Sequence, residues 1–143
     1  MTKSKNPREE KENIIIMATA LKFQYGTNDP LIIAQKMGIE LGWCEIDDGN
    51  SYYGEKSGRK EININKKYKD DYEKQVYVCA HELGHIYLGH KGRNYYKDPN
   101  IDLDYAANLF GLTLLYGSYF FNDDIINKDS YELHTFMEKK LGR

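Results

Sequence analysis

Two histidines four residues apart, with a glutamate directly after the first, constrain this chain more than any other feature of its sequence. The segment reads His81, Glu82, Leu83, Gly84 and His85. On a helix, residues four apart lie on the same face one turn above each other, so both imidazoles can aim a nitrogen at one point. The sequence therefore predicts a helix that presents a pair of metal ligands.

The residues around this motif favour a helix. Asp70, three residues before Glu73, has the pattern of a capping box, which predicts where the helix begins. Three of the four histidines of the chain lie between positions 81 and 90. Apolar residues recur at helical spacing at Tyr72, Val76, Cys79, Leu83 and Ile86. The alternative, a chance match or a histidine pair on a solvated surface, does not account for this helical context.

The motif predicts a zinc site with a general base beside it. His81 and His85 are the candidate ligands, and Glu82 is rotated from His81 by roughly 100° around the helix, so its carboxylate flanks the metal. A bound zinc polarises the scissile carbonyl and lowers the pKa of a water molecule to about 7. Glu82 is then the candidate catalytic residue, which takes the proton of that water and passes it to the leaving amine.

A catalytic zinc has three protein ligands, so a third must come from another part of the chain. Asp104 and Asn108 are four apart on a helix predicted from Asp102 to about Tyr116. Asp104 is the candidate third ligand and Asn108 an outer hydrogen-bond partner, although an aspartate can also simply favour a helix N-terminus. In the extended metzincin motif a third histidine follows six residues after the second, and that position is Lys91 in this chain. His90 is one residue too early, so its expected role is to cap the helix C-terminus, where a cation is favoured.

Two blocks of the sequence resemble the ImmA/IrrE family of zinc metallopeptidases. The blocks are residues 81–88, HELGHIYL, and residues 104–115, DYAANLFGLTLL, and the resemblance covers roughly residues 30–117. Family members typically read HELGHxxLH and then ExxANxFAxxLLxP, in which the glutamate is the third ligand. This chain has Asp104 in place of that glutamate, Gly111 in place of an alanine, and Tyr116 and Gly117 in place of the final methionine and proline.

The resemblance implies a zinc-dependent endopeptidase that cleaves a regulatory protein, often a helix-turn-helix repressor of a phage or other mobile element. It also implies that the strand before the motif helix presents an open edge to an extended substrate. In this chain that strand contains Ile62, Asn63 and Ile64. The alternatives are a non-catalytic zinc-fold module that binds a repressor, and a transcriptional regulator.

We expect one zincin-like domain over residues 1–143, of the α+β class, with a small twisted sheet packed on the HExxH helix and on surrounding helices. Turn residues and hydrophobic periodicity predict the other elements. These are helices from Pro7 to about Tyr25 and from Pro30 to about Met37, a strand from Ile39 to Ile46, hairpin arms Ser51 to Glu55 and Arg59 to Asn65, and a last helix from Ser130 to Leu141.

Charge and hydropathy argue against nucleic-acid binding, secretion and membrane insertion. A net charge of −2 and a pI near 6.1 give no overall basic field for direct nucleic-acid binding. The charged residues 1–13 and the short apolar stretch after them do not form a signal peptide. Polar residues within the apolar stretch 103–121 disfavour a membrane span. The sequence predicts a cytoplasmic protein that does not contact the membrane, and carries no pattern that specifies an oligomeric state.

Overall fold

Helices precede and follow a block of three strands along the chain in the computed structural model, which describes residues 7–46, 49, 51–90, 101–117, 132, 133, 135, 136 and 139. This mixed architecture confirms the predicted α+β class. The elements are α1 (Pro7–Tyr25), α2 (Pro30–Lys36), β1 (Glu40–Cys44), β2 (Ser51–Lys56), β3 (Arg59–Asn65), a 3-10 turn (Lys66–Tyr68), α3 (Tyr72–Tyr87) and α4 (Ile101–Tyr116).

Side-chain caps define the starts of two helices. The carboxylate of Asp29 accepts a hydrogen bond from the main chain of Leu31, and Pro30 occupies the first turn of α2, as predicted. Helix α3 begins one residue later than the capping-box pattern indicates. Its cap is Asp71 rather than Asp70, with Oδ1 accepting from the main-chain nitrogen of Lys74 at 3.1 Å.

The sheet has the strand order β1-β3-β2. Strand β3 pairs with β1 in parallel, from Glu40 opposite Glu61 to Cys44 opposite Asn65, and with β2 in an antiparallel hairpin. The predicted substrate-binding edge at Ile62, Asn63 and Ile64 is therefore wrong, because both sides of β3 already carry strand partners. Within the described residues the edge strands are β1 and β2.

Helix α3 lies at the centre of the packing. It contacts β2 and β3 as well as α2 and α4, and α1 packs against α4. Polar and apolar residues alternate along β3, a period of two that predicts Ile62 and Ile64 in the core, where both are buried. Asn65, which the same pattern places toward solvent, is also buried, and its amide donates to the carbonyls of Ile46 and Gly49. Because α3 has neighbours on several sides, its residues from Tyr77 to Ile86 are nearly all buried, and the motif lies within the packed interior.

The predicted last helix, Ser130 to Leu141, lies largely outside the described residues. The residues described there are helical, and Leu133 is buried. Among the helices of the described part of the chain, none is both long enough and apolar enough to cross a bilayer.

Candidate metal centre

Three side chains from two helices converge on one point. His81 and His85 come from α3, and Asp104 comes from the first turn of α4. The Nε2 atom of His85 lies 3.1 Å from Nε2 of His81 and 3.1 Å from Oδ1 of Asp104. His81 Nε2 and Asp104 Oδ1 are 3.6 Å apart. The structure thus brings together the three residues that the sequence singles out as ligands.

The spacing of these three atoms fits a tetrahedral zinc. Zinc bonds to histidine nitrogen and carboxylate oxygen are about 2.0–2.2 Å long, and tetrahedral angles then separate neighbouring ligand atoms by about 3.3–3.5 Å. The observed separations of 3.1, 3.1 and 3.6 Å bracket that value. Two histidines and one carboxylate are also an established donor set for catalytic zinc. The cluster can therefore hold a metal ion without rearrangement of the helices.

A hydrogen bond fixes the orientation of His81. Its Nδ1 lies 2.6 Å from Oδ1 of Asn108, which is one turn beyond Asp104 on α4. An amide oxygen only accepts, so His81 donates from Nδ1 and leaves Nε2 without a proton. This is the tautomer that binds a metal through Nε2, and an outer partner of this kind orients a ligand ring.

His85 is the most enclosed member of the cluster. Its side chain is 1% exposed, whereas the side chains of His81 and Asp104 are 23% and 27% exposed. The ring of Tyr53, from β2, stacks on the His85 imidazole at 4.7 Å and 15°. Burial lowers the pKa of His85 to about 3, although its hydrogen bond with Asp104 acts in the opposite direction. His85 is therefore neutral near pH 7, as a metal ligand must be.

Glu82 flanks the cluster. Its side chain is only 3% exposed, and Oε1 lies 3.6 Å from Nε2 of His81. The position agrees with the helical rotation expected for a residue directly after the first ligand. A carboxylate beside the metal position, rather than on it, is placed to exchange a proton with a group bound there.

A close crossing of α3 and α4 compensates for the short side chain of Asp104. A Cβ at Gly84 would lie 2.8 Å from the carbonyl oxygen of Ala107, and one at Gly111 would lie 3.0 Å from the carbonyl carbon of Ala80. The distance at Gly84 leaves no room for a Cβ, whereas at Gly111 the backbone of Ala80 would have to shift by a few tenths of an ångström. The aspartate then reaches the two histidines although it is one methylene shorter than glutamate.

We expect Gly84→Ala to weaken zinc binding, because the new methyl group pushes α4, and Asp104 with it, away from the histidines. Overpacking lowers the free energy of unfolding by about 1–3 kcal/mol, and the higher helix propensity of alanine offsets about 1 kcal/mol of that loss. Chelator competition measures the affinity, and thermal unfolding of the metal-free protein measures the stability. Gly111→Ala, with its less severe contact, provides a graded comparison.

The longer side chain of Asp104→Glu should recover part of the affinity in the Gly84→Ala background. In such a double-mutant cycle, a positive coupling reports that helix separation and side-chain length act together. Wild-type zinc affinity in Gly84→Ala would contradict the compensation.

His90 is the residue near the centre whose placement differs from the sequence expectation. Its main-chain nitrogen caps α3 by donating to the carbonyl of His85 at 2.9 Å. Its Nδ1 instead lies 2.8 Å from Nδ1 of His85. The sequence feature that could have predicted this placement is Gly89, because a glycine after a helix commonly turns the chain back. In the structure Gly89 adopts φ +78° and directs His90 toward the helix.

Comparison with known proteins places this centre in a family context. The model of the Peptidase_M78 family, described as the IrrE N-terminal-like domain, matches residues 34–138, nearly three quarters of the chain. The matched region includes α3, α4 and all three strands. Neither the curated proteins nor the solved structures contain a significant match to the chain.

Proposed function

The chain belongs to the Peptidase_M78 family of IrrE N-terminal-like domains, and on this premise we propose that it is a zinc-dependent endopeptidase. The family itself implies protease activity and a zinc metallopeptidase. The observation that carries the proposal for this chain is the convergence of His81, His85 and Asp104 beside the buried carboxylate of Glu82. The proposed substrate is a regulatory protein, namely a helix-turn-helix repressor of a phage or mobile element.

Each residue of the centre has a defined task in this proposal. His81, His85 and Asp104 would hold the zinc, which would act as a Lewis acid and lower the pKa of water to about 7. Glu82 accepts the proton of the attacking water and delivers it to the nitrogen of the departing amine. Its burial excludes bulk solvent from that proton transfer, while the partial exposure of His81 and Asp104 leaves an approach for the peptide bond.

The strand that binds the substrate main chain is proposed to be β2. It is an edge strand of the described sheet and packs against α3, and its Tyr53 stacks directly on His85. A peptide segment that adds to this edge in extended form would therefore run beside the metal centre. Strand β3 remains important as the support that holds β2 against α3.

A metal-dependent cleavage assay tests the proposal. The purified chain is incubated with a repressor encoded by the same element, and intact-protein mass spectrometry identifies the fragments. We expect one or a few cleavage products, whose formation stops on chelation and returns after one equivalent of Zn²⁺ is added. A repressor that stays intact but forms a complex with the zinc-loaded chain would instead support the non-catalytic binding module.

A further inference from the structure

His85 has both of its ring nitrogens engaged. One nitrogen, Nε2, faces His81 and Asp104, and the other, Nδ1, lies 2.8 Å from Nδ1 of His90. The rings of His85 and His90 meet edge to face, with centroids 5.1 Å apart. His90 therefore contacts the one nitrogen of His85 that does not face the proposed metal position.

The chain direction after α3 brings His90 to this place. Gly89 adopts the left-handed conformation, and its nitrogen donates to the carbonyl of Ile86 at 3.1 Å. The next residue, His90, donates from its main chain to the carbonyl of His85. These two bonds form the helix-ending motif in which a left-handed glycine satisfies the last carbonyls. His90 is thus bound to His85 twice, through its main chain and through its ring.

Proton balance decides the direction of the side-chain bond. Two Nδ1 atoms 2.8 Å apart share one proton, and a neutral histidine that binds a metal through Nε2 carries its proton on Nδ1. His85 therefore donates and His90 accepts. The arrangement parallels the other ligand histidine, because Nδ1 of His81 donates to Oδ1 of Asn108.

We propose that His90 is a positioning residue that accepts the Nδ1 proton of His85 and holds Nε2 of that ring toward the metal. The inference deepens the proposed function and depends on the metal centre described above. His90 itself stays off the metal. The two ligand histidines then each have their own acceptor, Asn108 on α4 for His81 and His90 beyond the end of α3 for His85.

Substitution of His90 separates this role from a purely structural one. His90→Ala removes the acceptor but keeps the main-chain nitrogen that caps α3. His90→Asn retains an acceptor, because Oδ1 of asparagine can occupy the position of Nδ1. We expect His90→Ala to lower Zn²⁺ affinity by about 10- to 100-fold, the usual effect of losing an outer partner, and His90→Asn to bind close to wild type. Asn108→Ala is the matched comparison for the other ligand.

Proton NMR of the full chain loaded with Co²⁺ provides a readout that does not involve activity. The paramagnetic metal shifts the N–H protons of ligated histidines, and we expect two solvent-exchangeable shifted signals in the wild type. His90→Ala should broaden or remove one of them, His90→Asn should restore it, and Asn108→Ala should affect the other.

The outcomes distinguish the two proposals. Unchanged Zn²⁺ affinity and two intact signals in His90→Ala would overturn the role of His90 and leave the metal centre standing. Three shifted histidine signals in the wild type would also overturn it, because they would put His90 on the metal. A wild-type chain that takes up no Co²⁺ would overturn both the metal centre and the role of His90.

Discussion

Replacement of Glu82 with glutamine is expected to abolish peptide-bond cleavage while leaving the fold and the metal centre intact. The amide has nearly the same shape as the carboxylate, so it fits the same buried position, where the side chain is 3% exposed. It can accept a hydrogen bond, but it cannot take a proton from the attacking water. General acid–base catalysis by one residue contributes about 100- to 10,000-fold, so we expect a loss of at least that size.

Three measurements on Glu82→Gln test this result: the initial rate of repressor cleavage, the zinc content and the unfolding temperature. Glu73→Gln is the matched control, because Glu73 is an exposed glutamate on the same helix. Its cleavage rate should equal that of the wild type. Wild-type activity in Glu82→Gln would exclude this residue as the base.

Removal of any one of the three proposed ligands is expected to strip zinc from the protein. A three-residue site that loses a ligand retains only two protein donors, which is fewer than catalytic zinc normally has. Loss of a residue that only hydrogen-bonds a ligand lowers metal affinity by about 10- to 100-fold. His85→Ala and Asp104→Ala should each lower zinc affinity by more than that. Asp104→Glu keeps a carboxylate and should retain part of the affinity despite its extra methylene.

Chelator competition measures these affinities, and Asp70→Ala serves as the control. Asp70 is an exposed carboxylate shortly before α3, and its removal should leave zinc binding unchanged. If Asp104→Ala bound zinc as tightly as the wild type, the third ligand would have to be another residue.

Local patterns in the sequence account for much of the centre. The spacing of His81 and His85 predicts that they share a face of α3, and the structure separates their ring centroids by only 4.7 Å. The alternation in β3 correctly predicts that Ile62 and Ile64 face the core. Both inferences succeed because helix and strand periodicity depend on neighbours within one element.

Features that depend on contacts between distant segments could not be predicted. The turn at Ser57 and Gly58 indicates that β2 and β3 form a hairpin, but no local pattern specifies on which side β1 joins them. The expected edge at Ile62 to Ile64 fails for this reason. The stacking of Tyr53 on His85 also depends on tertiary packing.

The close approach of α3 and α4 could be predicted from the sequence only in part. In the sequence, the small residues Ala106, Ala107 and Gly111 predict that α4 can approach a neighbouring backbone closely, which the short Asp104 requires. Only the structure identifies the close contacts, at Gly84 against Ala107, where a Cβ has no room, and at Gly111 against Ala80, where it would be tight. Sequence spacing shows that the residues are small, whereas their pairing follows from the crossing of the two helices.

Metal content tests most directly whether His81, His85 and Asp104 form a metal centre. The chain is purified without added metal and analysed for bound elements, then equilibrated with Zn²⁺ and dialysed before a second analysis. We predict about one zinc per chain in the wild type and none retained by His85→Ala. A wild-type protein that contains no metal after purification, and takes up none on addition, would contradict the assignment of His81, His85 and Asp104 as a metal centre.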